Sequence, residues 1–171
     1  MAPKIVFYLF LFVLVVEFQT SFGQGGVNGA YWLADAGVPA SDIDSTLFTH
    51  IFCAFANLDP QTNKVTLPSA SFSQFTPTVR RKNPSVKTLL SIGGGTFPAM
   101  ASQPSSRKSF IDSSISVARA NGFSGLDLNW EYPRTTNQMA DLESLLKEWR
   151  AAVAAEVTAA LNGGDLLPIQ N

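Results

Sequence analysis

Cysteine is almost missing from this 171-residue sequence: Cys53 stands alone. That excludes an internal disulfide and any multi-cysteine metal site, and in an apolar run the residue reads as a small buried hydrophobe. Histidine is as scarce, with only His50, so no metal ligand set can be completed and neither metal nor cofactor is expected. The net charge of −1 leaves no electrostatic footprint for nucleic acid or an acidic membrane. The one basic cluster, Arg80-Arg81-Lys82, reads as the solvated end of a helix. No Asn-X-Ser/Thr sequon occurs, so N-glycosylation is not expected.

Ile5 to Val16 is an apolar run of twelve residues closed by Glu17, too short for a membrane span, which needs about 20. Lys4 precedes it, and Ser21-Phe22-Gly23 offers small residues for cleavage before Gln24. This is the layout of a secretory signal peptide over residues 1–23. The expected product, residues 24–171, is one domain with its own core. It is expected outside the cell or in the vacuole, with no membrane anchor. Losing Lys4 and Glu17 removes one charge of each sign, so the balance is unchanged.

Short β-like runs alternate with helical patterns along the rest of the chain. Asn28–Leu33, Thr49–Leu58, Val86–Gly94 and Phe123–Trp130 read as strands. Helices are expected over Ser71–Arg81, where Pro77 interrupts the pattern, and over Ser105–Ala120, after Pro104 and before Asn121-Gly122. A third covers Gln138–Leu161, with Leu142, Leu145, Leu146, Trp149, Val153 and Val157 along one face. Leu166-Leu167 opens a possible fifth strand. Such alternation implies parallel βαβ units, and period alone does not separate a doubly wound sheet from a (β/α)8 barrel.

The chemistry concentrates in Gly125–Pro133, GLDLNWEYP. Side chains on a strand alternate faces, so Asp127, Asn129 and Glu131 share one face and Leu126, Leu128 and Trp130 the other. Polar groups stacked on a buried strand need partners or water. In a barrel, the carboxyl end of a strand opens on the active-site mouth, which puts Glu131 at the mouth and Asp127 deepest. A carboxylate in such surroundings suits general acid catalysis. An inward hydrogen-bond network that merely fills the barrel explains the same pattern.

GLDLNWEYP resembles the catalytic signature of glycoside hydrolase family 18, Asp-Gly-X-Asp-X-Asp-X-Glu on the fourth barrel strand. The resemblance extends through STLFTHIFCAFANLDPQTN, RKNPSVKTLLSIGGG and QPSSRKSFIDSSISVARANGFSGLDL to the first half of plant class V chitinases, over roughly Gly29 to Glu156. It implies an incomplete (β/α)8 TIM barrel holding about the first four βα units. It further implies a retaining, substrate-assisted hydrolysis of β-1,4-N-acetylglucosamine linkages, with chitin or its oligosaccharides as partner. In that scheme Glu131 is the general acid, Asp127 the inner aspartate of a relay, and Asn129 stands where the family has the aspartate that holds the acetamido N–H. Ser124 takes the place of the first aspartate. Tyr31 and Phe55 match aromatics flooring the reacting-sugar subsite, though core packing is as common a use. Gly93 and Gly94 let the third strand's backbone come close to sugar. His50 falls at the stability end of the barrel.

Two departures bear on activity. Asparagine accepts a hydrogen bond but carries no charge, so it cannot offset a cationic intermediate; sugar binding is expected to persist and hydrolysis to weaken. A whole barrel of this kind takes about 250 residues, and the family's site residues on the sixth and eighth strands have no counterpart here. The expectation is a fragment of the barrel, catalytically impaired. The alternative is a non-catalytic carbohydrate binder, lectin-like or inhibitor-like, or an inert piece.

Overall fold

A computed structural model describes residues 26–94 and 96–162. The leader expected over residues 1–23 and the strand start at Leu166-Leu167 lie outside the described residues. Four parallel strands form the body of the sheet: β1 (Gly29–Leu33), β2 (His50–Leu58), β4 (Lys87–Gly93) and β5 (Gly125–Asn129), in the spatial order β1-β2-β4-β5. A two-residue β3 (Val65–Thr66) pairs antiparallel with the end of β2. The helices are α1 (Ser71–Arg80), α2 (Phe97–Ala101), α3 (Pro104–Ala120) and α4 (Thr136–Asn162). Two short 3-10 turns, Ala40–Asp42 and Ser45–Leu47, join β1 to β2.

The two faces of the sheet differ. Trp32, Ile51, Cys53, Leu90 and Ile92 are buried against the helices. On the other face Tyr31 and Leu33 are exposed and Phe52 and Leu89 half-buried. A doubly wound sheet would bury both faces and reverse its strand order at a switch point. One covered face with the strands in sequence order is instead an arc of a barrel. An aromatic chain crosses the covered side. Trp32 stacks on Phe75 at 4.9 Å and Phe75 lies 6.4 Å from Phe123. Farther along, Phe110 meets Trp149 edge-on at 5.0 Å. The Cys53 thiol sits in this layer, and burial pushes its pKa up to about 12.

Local chemistry sets the ends of the elements. α3 begins with Pro104 in its first turn and stops in a Schellman motif: Phe123 N–H reaches Ala118 O, Gly122 N–H reaches Arg119 O, and Gly122 has φ +70°. α4 opens with a reciprocal cap, Thr135 Oγ1 accepting from Gln138 N–H while Gln138 Oε1 accepts from Arg134 N–H. This cap starts the helix two residues before the expected Gln138. α1 runs through Pro77, which only withdraws one interior N–H. In the β2–β3 turn the Asp59 carboxylate accepts from Gln61 and Thr62 N–H at 2.8 Å each, which holds its pKa below the ordinary carboxylate range. Arg107 on α3 forms a bidentate pair with Glu148 on α4 and donates to Ala101 O at the end of α2, joining three helices.

One expectation is corrected. Arg80-Arg81-Lys82 is not simply solvated: Arg80 donates to Ser124 Oγ, and Lys82 Nζ reaches the Ser41 and Ile43 carbonyls. The apolar face expected on α4 is buried only in part. Leu145 and Trp149 enter the core, but Leu146, Val153 and Val157 stay exposed, because the described sheet covers only one side of the helix.

Phe75, fully buried between Trp32 and Phe123, is the centre of the aromatic layer. Phe75→Ala should destabilise the fold by about 3–5 kcal/mol, seen as a lowered urea midpoint at unchanged slope.

Candidate active site

Asp127 is the centre of the concave face. Its Oδ2 accepts from the Tyr31 hydroxyl at 2.9 Å and from Ser91 Oγ at 2.7 Å, so this β5 carboxylate is held by groups from β1 and β4. Ser91 pairs with Asp127 across the β4–β5 ladder and is fully buried. Sequence reasoning missed Ser91. Its signal was faint, one hydroxyl between Leu90 and Ile92 in an otherwise apolar run. Tyr31 is 52% exposed, and its phenol pKa lies above the ordinary 10.0, from partial burial first and then from the Asp127 hydrogen bond and charge, with Ser91 acting in the opposite sense.

Asn129 ends β5, level with Gly93 on β4. Glu131 lies two residues farther, exposed in the loop before α4. Leu126, Leu128 and Trp130 pack on the hydrophobic core, and Trp130 stacks on Phe97 at 5.8 Å. The alternation read from the sequence therefore holds through the motif. Among the described residues, Asp127 alone of the three polar groups is hydrogen-bonded by other side chains, and Asn129 and Glu131 are left toward the carboxyl end of the strands.

The aromatic floor is larger than expected. Tyr31 stacks on Phe52 at 4.6 Å and lies 6.3 Å from Phe55; Phe52 had no assigned part. At Gly93 an added Cβ would come within 3.0 Å of the Phe55 ring, so this glycine makes room for Phe55. Gly94 has φ +142° and open space around it, a backbone conformation that favours glycine. Ser124 and His50 lie at the opposite end of the strands: Ser124 Oγ accepts from Thr88 N–H, and His50 Nδ1 is 2.9 Å from Thr49 Oγ1. Two surface grooves, of about 450 and 680 Å³, lie away from Asp127, one beside Trp32 and α1 and one between α3 and α4. The site is thus an open half-mouth.

The Glycosyl hydrolases family 18 profile matches residues 27–167. The chain belongs to this family. It is 52% identical over 166 residues to a class V chitinase of Arabidopsis thaliana, covering 92% of this chain and 44% of the relative. The chitinase-like agglutinin of Robinia pseudoacacia superposes with a TM-score of 0.76 at 56% identity, over 81% of this chain and 44% of that one. A mutant class V chitinase from Nicotiana tobaccum, solved in complex with NAG4, gives 0.74 at 55% identity, over 81% and 41%. The chain therefore spans less than half the length of these relatives, and its sheet is part of their TIM barrel.

The Tyr31 phenol titrates higher when folded than when unfolded, so its bond to Asp127 stabilises the fold below about pH 10 and is lost as pH rises through the folded pKa. The melting temperature of wild type should exceed that of Tyr31→Phe at neutral pH, and the gap should close above pH 10. A gap constant up to strongly alkaline pH would contradict the assigned bond.

Proposed function

We propose that the protein acts on β-1,4-linked N-acetylglucosamine chains as a weakened chitinase-type hydrolase. The reading rests above all on Asp127, fixed inside the arc by two hydroxyls with Asn129 and Glu131 following it toward the mouth. Membership of the family and the likeness to class V chitinases support the substrate class.

In this scheme Glu131 protonates the glycosidic oxygen. The carbonyl of the substrate's own 2-acetamido group attacks the anomeric carbon, the bond to the leaving sugar breaks, and an oxazolinium-type intermediate forms. Water then opens that ring with the original configuration retained. The Asn129 carbonyl accepts the acetamido N–H and orients the attacking group. Being neutral, it offers no counter-charge to the intermediate, which is where the rate is lost. Tyr31 and Ser91 hold Asp127 behind it, and Tyr31, Phe52 and Phe55 give the reacting sugar an apolar face.

A fluorogenic chitooligosaccharide assay beside calorimetric titration with the same sugar tests this reading. Slow turnover abolished by Glu131→Gln is expected, and Asn129→Asp should raise turnover about 10²–10³-fold with little change in affinity. If the aspartate variant binds sugar but gains no rate, the assigned role of Asn129 is wrong. Sugar binding without any turnover would favour a lectin-like binder, a reading that Asn129 itself and the likeness to a chitinase-like agglutinin support.

A further inference from the structure

Arg107 is only 8% exposed, and each nitrogen of its guanidinium has a partner. Nε and Nη2 donate to the two Glu148 oxygens at 2.8 and 2.7 Å, and Nη1 donates to Ala101 O at 2.7 Å. The Glu148 carboxyl is held below its ordinary pKa, by the Arg107 hydrogen bond first, with burial acting in the opposite sense. Such a match offsets the cost of withdrawing the charge from water but adds little net stability, since apolar packing of similar volume often serves a fold as well. What apolar packing does not supply is direction. A planar fork fixes where its acceptors sit.

The Ala101 carbonyl lies at the end of α2, and a five-residue helix does not hold itself in water. α2 opens at Thr96 without a side-chain cap. Among the described residues, Arg107 makes the one side-chain hydrogen bond that ties it to another helix. At its other end α2 presents Phe97, fully buried, with the Trp130 ring stacked on it at 5.8 Å. Phe97 also meets Phe110 edge-on at 6.3 Å, one turn along α3 from Arg107.

Trp130 is the link to the site. The β4–β5 ladder ends at Asn129, and Glu131 beyond it is exposed, with no side-chain partner among the described residues. Its backbone is aimed by what stands on either side: the seated Trp130 ring before it, and the Arg134–Gln138 cap of α4 after it. We propose that Arg107 is a positioning residue for Glu131. With Glu148 it sets α2, α2 sets Phe97, and the Trp130 ring seated on Phe97 sets the backbone that carries the acid. The assignment rests on the proposed role of Glu131 as proton donor, and Arg107 itself, on the helix side of the sheet, touches no reacting atom.

Arg107→Lys keeps the charge and loses the fork, and Glu148→Gln keeps the shape and loses the charge. Lys108→Gln, which breaks the exposed Lys108–Asp112 pair at the next position of α3, is the control. In 15N relaxation of the full chain, the wild-type Glu131 amide should have a rigid-backbone order parameter of about 0.85, falling below about 0.6 in Arg107→Lys. The Trp130 amide should follow it while β1 and β2 stay unchanged, and Lys108→Gln should match wild type. Glu148→Gln should show the same local loss, and it carries the test should the lysine variant fail to fold. This readout needs no sugar, so a wild type without turnover would sink the proposed hydrolysis and leave the positioning role to be decided by relaxation. With a fluorogenic chitooligosaccharide, both variants should lower kcat about 10–10²-fold with KM within about twofold. Adding Arg107→Lys to Phe97→Leu should cost little beyond Phe97→Leu alone, because both act through one path. A Glu131 amide equally ordered in wild type and both clasp variants, a loss of order spread evenly over the chain, or rate losses from Arg107→Lys and Phe97→Leu that simply add would each overturn it.

Discussion

One carboxylate accepting two hydroxyl protons from two other strands governs the concave face. Without Tyr31 and Ser91, Asp127 would be a half-buried carboxylate on the sheet with no side-chain partner among the described residues, and withdrawing such a group from water without compensation is costly. With them, strands far apart in the sequence are held in one register, since Tyr31 and Asp127 are separated by 96 positions. The same bonds occupy one oxygen of Asp127 and fix its plane. The polar column of the motif is thus graded, from a carboxylate held by protein groups to an exposed acid beyond the strand end.

The contrast between the faces follows from what lies against each. Helices α1, α2 and α3 and part of α4 press Phe72, Phe97, Phe110 and Leu145 onto the convex side, where all four are fully buried. The concave side carries aromatics and hydroxyls that neither pack completely nor hydrate fully. Such a surface suits a sugar, whose rings present apolar faces and polar rims. It also explains why α4 belongs to two environments: one side is core, and the other waits for a neighbouring helix or segment.

Much of this was legible from the sequence, and the failures have physical causes. β1, β2, β4 and β5 were recognised because continuous apolar runs bounded by glycine and proline mark strands buried in a parallel sheet. The end of α3 at Asn121-Gly122 was readable because a left-handed residue there favours glycine. β3 was not, since two residues carry no period and the pairing of Val65–Thr66 depends on the Asp59 turn folding them back. α2 was hidden for the same reason of length. The apolar face of α4 was read correctly, but not which of its residues are buried, because periodicity reports which face is hydrophobic and not what stands opposite it. In the site, Asp127 and its alternating neighbours were visible through the pattern. Ser91 and Phe52 were not, because a hydroxyl or a ring in an apolar strand takes its meaning only from what faces it across the sheet.

The placement of Cys53 has a chemical consequence. Thiol–disulfide exchange proceeds through the thiolate, and a thiol whose pKa is pushed up to about 12 behind a fully buried side chain supplies almost none at neutral pH. The thiol of the folded protein is therefore silent toward disulfide exchange, so thiol-reactive dyes would label only chains that have opened. The one cysteine is in effect a built-in reporter of unfolding, read out by the speed at which it becomes modified.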